Sequence, residues 1–326
     1  MISPEQIFSI QSEHDFEALA LKIFGYQAKE NAIYSTFTQA LGVNSEAIND
    51  ISQIPFLPIE FFKSHTIKSG GGHPEVIFTS SGTTGAPQSR HPVMDLSLYI
   101  KSFGKGFSHF YGDIKDYTIL ALLPSYLERE GSSLIYMVDA LIKESNNSES
   151  GYFLYNHDEL HLMLHRLKAE KRKVILIGVT YALLDFAEAY KIDFPELIIM
   201  ETGGMKGKRK ELIREELHEL LCAGFGVSNI HSEYGMTELL SQGYSKGGGK
   251  FNCPPWMKIL IRDTNDPLSL LNTGKTGGIN VIDLANLHSC SFLSTQDLGK
   301  LNSDGSFNIL GRFDNSDIRG CNLLIQ

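Results

Sequence analysis

Thr237 and Glu238 are adjacent in "SEYGMTELLSQ", residues 232–242. A hydroxyl and a carboxylate side by side can hold a magnesium ion together with a phosphate oxygen. Tyr234, Gly235 and Met236 come just before them, and an aromatic ring beside a glycine offers a flat face for a nucleobase to stack on. A helix start, with Thr237 near the cap and Glu238 in the first turn, would explain the pair without any chemistry. It would leave the exposed Tyr-Gly unexplained. A second stretch, "FTSSGTTGAPQSR" at residues 78–90, carries Ser80, Ser81, Thr83 and Thr84 as hydroxyl donors. Gly82 and Gly85 permit the backbone angles that turn several N–H groups toward one anion. Arg90 at its end can neutralise phosphate charge. An ordinary surface loop accounts for this composition equally well. Asp297 in "STQDLGKL" and Arg312 in "GRFDNSDIRGCNLL" suit the two hydroxyls of a ribose, though each alone is a commonplace surface residue.

The loop is not the common lysine-bearing phosphate loop. The nearest match, "GKT" at residues 274–276, has Ser269 where the first glycine belongs, and "NTGKTGG" reads as a hairpin turn.

These groups need elements to position them. Residues 4–45 read as helices from the spacing of Phe16, Leu19, Ile23 and Phe24, and "IPFLPIEFFKSHTIKSGGG" reads as an extended connector. From residue 75 to about 244, apolar runs alternate with helix-like stretches. The runs are "VIFT", "TILALLP", "GYFLY", "KVILIGVT", "LIIMETGG" and "NIHSEYG". Continuous apolar strands separated by helices argue for a mainly parallel sheet covered on both faces, with ligands at the carboxyl ends of its strands. A helix is expected over residues 91–111. After about residue 251 the strands "WMKILIRD", "GGINVIDL", "CSFLSTQDLGKL" and "SFNILGRF" follow one another without helices, as in an antiparallel or barrel-like part. The expected segments are 1–74, 75–250 and 251–326.

The chain has 326 residues and a formal charge of −9, with no basic stripe of the kind nucleic-acid binders carry. Cys222, Cys253, Cys290 and Cys321 are widely spaced, which argues against a structural zinc site or a disulfide framework and for a reducing compartment. No signal peptide and no membrane-spanning run is read, so a cytoplasmic protein is expected.

Together and in this order the pieces resemble the adenylate-forming superfamily of acyl- and aryl-CoA ligases, adenylation domains and luciferases. "SSGTTGAPQS" looks like its phosphate loop, "TGG" at 202–204 like its adenine-contacting glycines, and "YGMTE" like its Tyr-Gly-x-Thr-Glu motif. "QDLG" looks like its ribose motif and "GRFD" like its hinge. Within the superfamily, "IPFLPIEFFK", "GSSL" at 131–134, "TGGMKG" and "IRGCNLL" resemble the acyl-protein synthetases, the fatty-acid-activating component of the bacterial bioluminescence reductase complex.

The resemblance implies the large α/β domain of that fold, with layered, mainly parallel sheets, helices on both faces and a C-terminal antiparallel part. The small lysine-bearing C-terminal domain is expected to be absent. It implies ATP and Mg2+ as cofactors and a carboxylic acid, expected to be a fatty acid, as substrate. Ser80, Ser81, Gly82, Thr83, Thr84 and Gly85 would embrace the β- and γ-phosphates. Tyr234, with Gly235 and Met236, would meet adenine near Gly203 and Gly204. Thr237 and Glu238 would position Mg2+ and the α-phosphate, and Asp297 and Arg312 the ribose. Cys321 stands where the branch has its acyl-accepting cysteine, with Arg319 two residues away to favour the thiolate; a small buried cysteine is the bland reading. Gln88 stands where the superfamily loop has lysine, and Arg90 is the available substitute. Two other readings stay open: a ligase or acyltransferase loading CoA or a carrier protein, and a nucleotide-binding partner subunit without catalysis.

Overall fold

The computed structural model describes residues 2–80, 87–124, 131–203 and 212–312. They form two compact units. One is built from the described parts of 1–102, 237–241 and 252–312, the other from those of 103–236 and 242–251. These units cut across the three consecutive segments expected from composition.

The first unit begins with α1 (Pro4–Ile7), α2 (Glu13–Glu30) and α3 (Ala32–Ala40). A capping box starts α2: Asp15 N donates to Ser12 Oγ at 3.1 Å, and Ser12 N donates to the Asp15 carboxylate at 3.0 Å. The short strand β1 (Leu57–Pro58) and helix α4 (Phe61–Ser64) lie in the expected connector. Strands β2 (Val76–Thr79) and β3 (Arg90–Val93) pair antiparallel, with Phe78 opposite His91 and Thr79 opposite Arg90. Helix α5 (Leu96–Tyr111) follows, counted to Ser102 in this unit and from Phe103 in the second. The helix expected from residue 91 therefore starts five residues late. Pro92 has no N–H for a helix interior and drives His91 out of the helical region, so the chain stays extended. Asp95 then starts the helix by accepting from Ser97 N at 2.9 Å.

The second unit contains β4 (Tyr117–Leu122), α6 (Ser133–Glu144), β5 (Gly151–Tyr152), α7 (His157–Ala169), β6 (Lys173–Val179), α8 (Thr180–Ala189), β7 (Ile198–Thr202), α9 (Arg214–Phe225), β8 (His231–Tyr234), β9 (Gly243–Ser245) and β10 (Lys250–Asn252). Its strand order is β10-β9-β8-β7-β6-β4-β5. The pairs from β5 through β8 are parallel, and β9 joins β8 antiparallel. Strands β4 and β6 are buried along almost their whole length, as a sheet covered on both faces requires. Helix α9 ends at Gly226, whose φ of +67° only glycine adopts readily; a Cβ there would come within 2.9 Å of the backbone at Ile192 and Asp193.

The remaining strands belong to the first unit: β11 (Met257–Arg262), β12 (Thr276–Asp283), β13 (Phe292–Leu301) and β14 (Phe307–Arg312). They run antiparallel in the order β11-β12-β13-β14, as the sequence leads one to expect, and β1 adds to β13 in parallel. The N-terminal helices pack on this sheet. Phe292 of β13 stacks on Tyr34, with ring centres 6.2 Å apart, and meets Phe24 edge-on at 6.0 Å. The buried amide of Gln27 donates to the carbonyls of Asn286 and Leu287 at 2.9 Å, and accepts from Ser291 N at 2.8 Å. A buried amide is tolerated only when its donors and acceptor are used, and here they fasten α2 to the loop between β12 and β13.

Candidate functional site

The phosphate-loop candidate springs from the β2–β3 hairpin. Its neck is closed twice: Ser80 N donates to Ser89 O at 3.1 Å, and Ser89 N donates to Ser80 Oγ at 2.9 Å. Ser80 is half-buried, Ser89 buried, and Gln88 and Arg90 are exposed beside it. Ser81, Gly82, Thr83, Thr84 and Gly85 lie outside the described residues, as do Gly204 and Cys321.

Thr237 and Glu238 occupy a turn, and no helix follows them. The helix-start reading of this pair is thus overturned. Three side chains that the sequence did not single out hold the turn, all within the first unit. His91 Nδ1 lies 2.8 Å from the carbonyl of Thr237, and Asn286 Nδ2 donates to the carbonyl of Glu238 at 2.8 Å. The Asp283 carboxylate accepts from Leu240 N at 2.8 Å, from Ser241 N at 3.0 Å, from Ser241 Oγ at 2.5 Å and from Ala285 N at 3.1 Å. The Glu238 carboxyl is buried. Desolvation pushes it above the ordinary carboxylate value, partly offset by a hydrogen bond to Ser89 and by the charges of Arg312 and Lys63. Burial also pushes the His91 imidazole down to about 4, so it is neutral at physiological pH.

Asp297 and Arg312 face each other in register across β13 and β14. Arg312 Nε lies 3.6 Å from Asp297 Oδ1, and the arginine is largely exposed. Just upstream the β12–β13 register shifts, between Gly278 and Asn280. There the buried Arg262 guanidinium crosses Gly278, donating to Ile279 O at 2.7 Å and to Thr295 O at 2.5 Å. A Cβ on Gly278 would stand 2.4 Å from Arg262 Cζ.

In the second unit, β7 ends at Thr202, and Gly203, exposed with φ +72°, follows it. Tyr234 is not exposed as the sequence reading had it: it is 7% accessible, with its ring edge-on to Phe251 at 6.2 Å. The aromatic runs on into the core because β8 is a central strand. Gly235 and Met236 are half-buried. Glu233 was missed. Its Oε2 accepts from Thr202 Oγ1 at 2.6 Å, and a Cβ on Gly235 would collide with its Oε1, so the carboxyl would have to shift to admit one. A second carboxylate, Glu201, is buried with better partners: Ser232 Oγ at 2.9 Å, Arg214 Nη1 at 2.9 Å and His218 Nε2 at 3.0 Å. Burial works to raise it, but the His218 hydrogen bond and the Arg214 charge together hold it below the ordinary value.

Glu233 yields a pH prediction. Desolvation raises its carboxyl from 4.5 to about 7. Between those values the folded chain keeps a proton that the unfolded chain has lost, so this group's contribution to stability falls as pH rises through the window. Glu233→Gln, an isostere of the protonated acid, is expected to be more stable than the parent by up to about 3 kcal/mol above pH 7 and no more stable near pH 4.5. Urea unfolding of both proteins at the two ends of the window checks this; an equal difference at both pH values would refute it.

Cys290 is buried, and its thiol is pushed up to about 12, which makes it inert; Cys222 is raised by burial as well. Among the described residues no three His, Cys, Asp or Glu side chains group as a metal site. No described helix is long and apolar enough to cross a membrane.

Residues 4–326 match the family described as "Acyl-protein synthetase, LuxE". No curated protein matches the chain. Among solved structures, ATP-bound MatB from Rhodopseudomonas palustris is 19% identical, with a TM-score of 0.55 over 84% of this chain and 52% of that one. The chain thus spans about half the length of MatB. A 2-hydroxyisobutyryl-CoA ligase in complex with 2-HIB-AMP and CoA is 10% identical, with a TM-score of 0.67 over 94% of this chain and 72% of that one. At such identities the likeness is one of fold.

Proposed function

The chain belongs to the LuxE family of acyl-protein synthetases, and from that premise we propose that it activates a carboxylic acid with ATP and passes the acyl group to a thiol. The acid's carboxylate oxygen attacks the α-phosphorus, the bond to the bridging oxygen breaks, and pyrophosphate leaves. A thiolate then attacks the acyl carbonyl, forming a thioester and releasing AMP. The substrate we assign is a fatty acid and the acceptor thiol Cys321.

One observation carries this reading: Glu238 is a buried carboxyl whose desolvation is only partly offset by Ser89 and by the fields of Arg312 and Lys63. A carboxylate that is costly to ionise alone gains most from a cation beside it. Mg2+ is held through one or two carboxylates plus substrate phosphates, so a single Glu beside Thr237 fits it without a three-ligand cage. When bound, the ion neutralises charge gathering on the phosphates. Glu238 and Thr237 orient that charge. Ser80, with Ser81 to Gly85 beyond it, supplies donors to the β- and γ-phosphates, and Arg90 adds a positive charge where Gln88 has none. Asp297 and Arg312 bind the ribose hydroxyls. Gly203, Gly204, Gly235 and Met236 form the adenine-side surface, and the buried Tyr234 ring supports it from behind rather than stacking on the base. We also assign the protein to the cytoplasm, where its thiols stay reduced.

Intact-protein mass spectrometry tests the proposal, after incubation with ATP, Mg2+ and a panel of fatty and aryl acids. The expected result is an ATP-dependent mass increase equal to the acyl group, released by hydroxylamine and lost in Cys321→Ser while acyl-AMP formation persists. An adduct retained in Cys321→Ser would assign the acceptor elsewhere. Absence of both adduct and acyl-AMP would favour a nucleotide-binding subunit without catalysis.

A further inference from the structure

His91 and Asn286 share a peculiarity. Each is fully buried, and each spends one end of its polar group on a peptide carbonyl, of Thr237 and Glu238 respectively. Their other ends, His91 Nε2 and Asn286 Oδ1, are buried without a partner among the described residues. Both side chains line one small cavity of the first unit, together with Asp95, Leu240, His288 and Ser289.

The chemistry of the two orphan atoms follows from their occupied ends. A carbonyl only accepts, so the His91 nitrogen facing Thr237 O must carry the proton, and an imidazole with its one proton there presents the buried, unpartnered Nε2 as a bare acceptor. The same logic turns the NH2 of Asn286 toward Glu238 O and leaves its oxygen on the other side. Two acceptors cannot satisfy each other. They need a donor of two hydrogens, small enough for a cavity with room for about one water. A cation is disfavoured because no third ligating side chain groups there.

We propose that one water molecule occupies this cavity, donating one hydrogen to His91 Nε2 and the other to Asn286 Oδ1, and that the bridge makes both side chains positioning residues for Thr237 and Glu238. His91 and the water thus brace one carbonyl, and Asn286 and the same water brace the next. Two consecutive peptide planes are fixed from one side, while the Glu238 carboxyl remains directed to Ser89. The kinetic consequence rests on the proposed activation of an acid; the bridge itself does not.

The test has three arms on the full chain. High-resolution crystallography is expected to place a water within hydrogen-bonding distance of both atoms, and nitrogen-15 NMR at neutral pH to find His91 as the Nδ1–H tautomer. An empty cavity or an Nε2–H tautomer would overturn the bridge. Third, His91→Phe and Asn286→Ala are each expected to lower kcat for acyl-AMP formation about tenfold with little change in the KM for ATP. The double variant should be little worse than either single one, because both break the same bridge. His91→Asn, which can still donate to the Thr237 carbonyl, should recover part of the loss. Fully additive effects, or losses confined to KM, would sink the positioning role even with the water present. A parent chain that forms no acyl-AMP would defeat the functional reading instead, leaving density and tautomer to decide the bridge.

Discussion

Glu238→Gln is expected to lower Mg2+-dependent acyl-AMP formation by about a hundredfold or more while the protein folds normally. The amide keeps the shape of the side chain and can still pair with Ser89, but it no longer offers a charged oxygen to a cation. The carboxylate is desolvated to begin with, so the parent gains no folding stability from its charge, and the variant should unfold at the same or a slightly higher urea concentration. Pyrophosphate release measured against Mg2+ concentration checks the activity, and a urea titration checks the fold. Unchanged turnover at saturating Mg2+ would remove Glu238 from the metal site. Lost activity together with a lost fold would point to a structural role only.

Asp283→Ala is expected to cost about 4 kcal/mol of stability. The Asp283 carboxylate serves three buried backbone N–H groups and one hydroxyl, and each buried donor left unpaired costs roughly 1–3 kcal/mol. Burial raises this carboxyl above its ordinary value, so part of the loss is repaid by no longer burying a charge. Asp283→Asn, which keeps one acceptor oxygen, should fall between the alanine variant and the parent. Leu240 and Ser241 follow Glu238 directly in the chain, so acyl-AMP formation should fall with stability even at temperatures where the variant is folded. Equilibrium unfolding and turnover measured well below the transition separate the two effects. A loss below about 1 kcal/mol would mean that water replaces the carboxylate at no cost.

Much of the second unit was legible in the chain. Strands such as "TILALLP" and "KVILIGVT" are continuous apolar runs because helices cover both faces of a parallel sheet. Helix α8 was not legible for the same reason: Thr180, Tyr181, Ala182, Leu183, Leu184 and Phe186 are all buried, and its charged face is reduced to Asp185 and Glu188, too little to give it a clear helical period. Strand β3 carried its own signal in Pro92, which the apolar pattern of the following helix obscured. The exposed ring inferred for Tyr234 failed because residue type does not reveal that β8 lies inside a sheet.

Residue types and their order determined the family and the antiparallel C-terminal strands, and they supplied the residues proposed to meet nucleotide, metal and acyl carbonyl. Those are properties of local sequence: a loop rich in glycine and hydroxyls, a Thr-Glu pair, an Asp and an Arg near strand ends. Tertiary structure alone decided what holds the Thr-Glu turn in place. His91 lies 146 positions from Thr237, Asn286 lies 48 from Glu238, and Asp283 lies 43 from Leu240. No local pattern encodes which peptide carbonyl a distant side chain will reach. That is settled when the chain, having buried its apolar surface, must find partners for the polar groups buried with it.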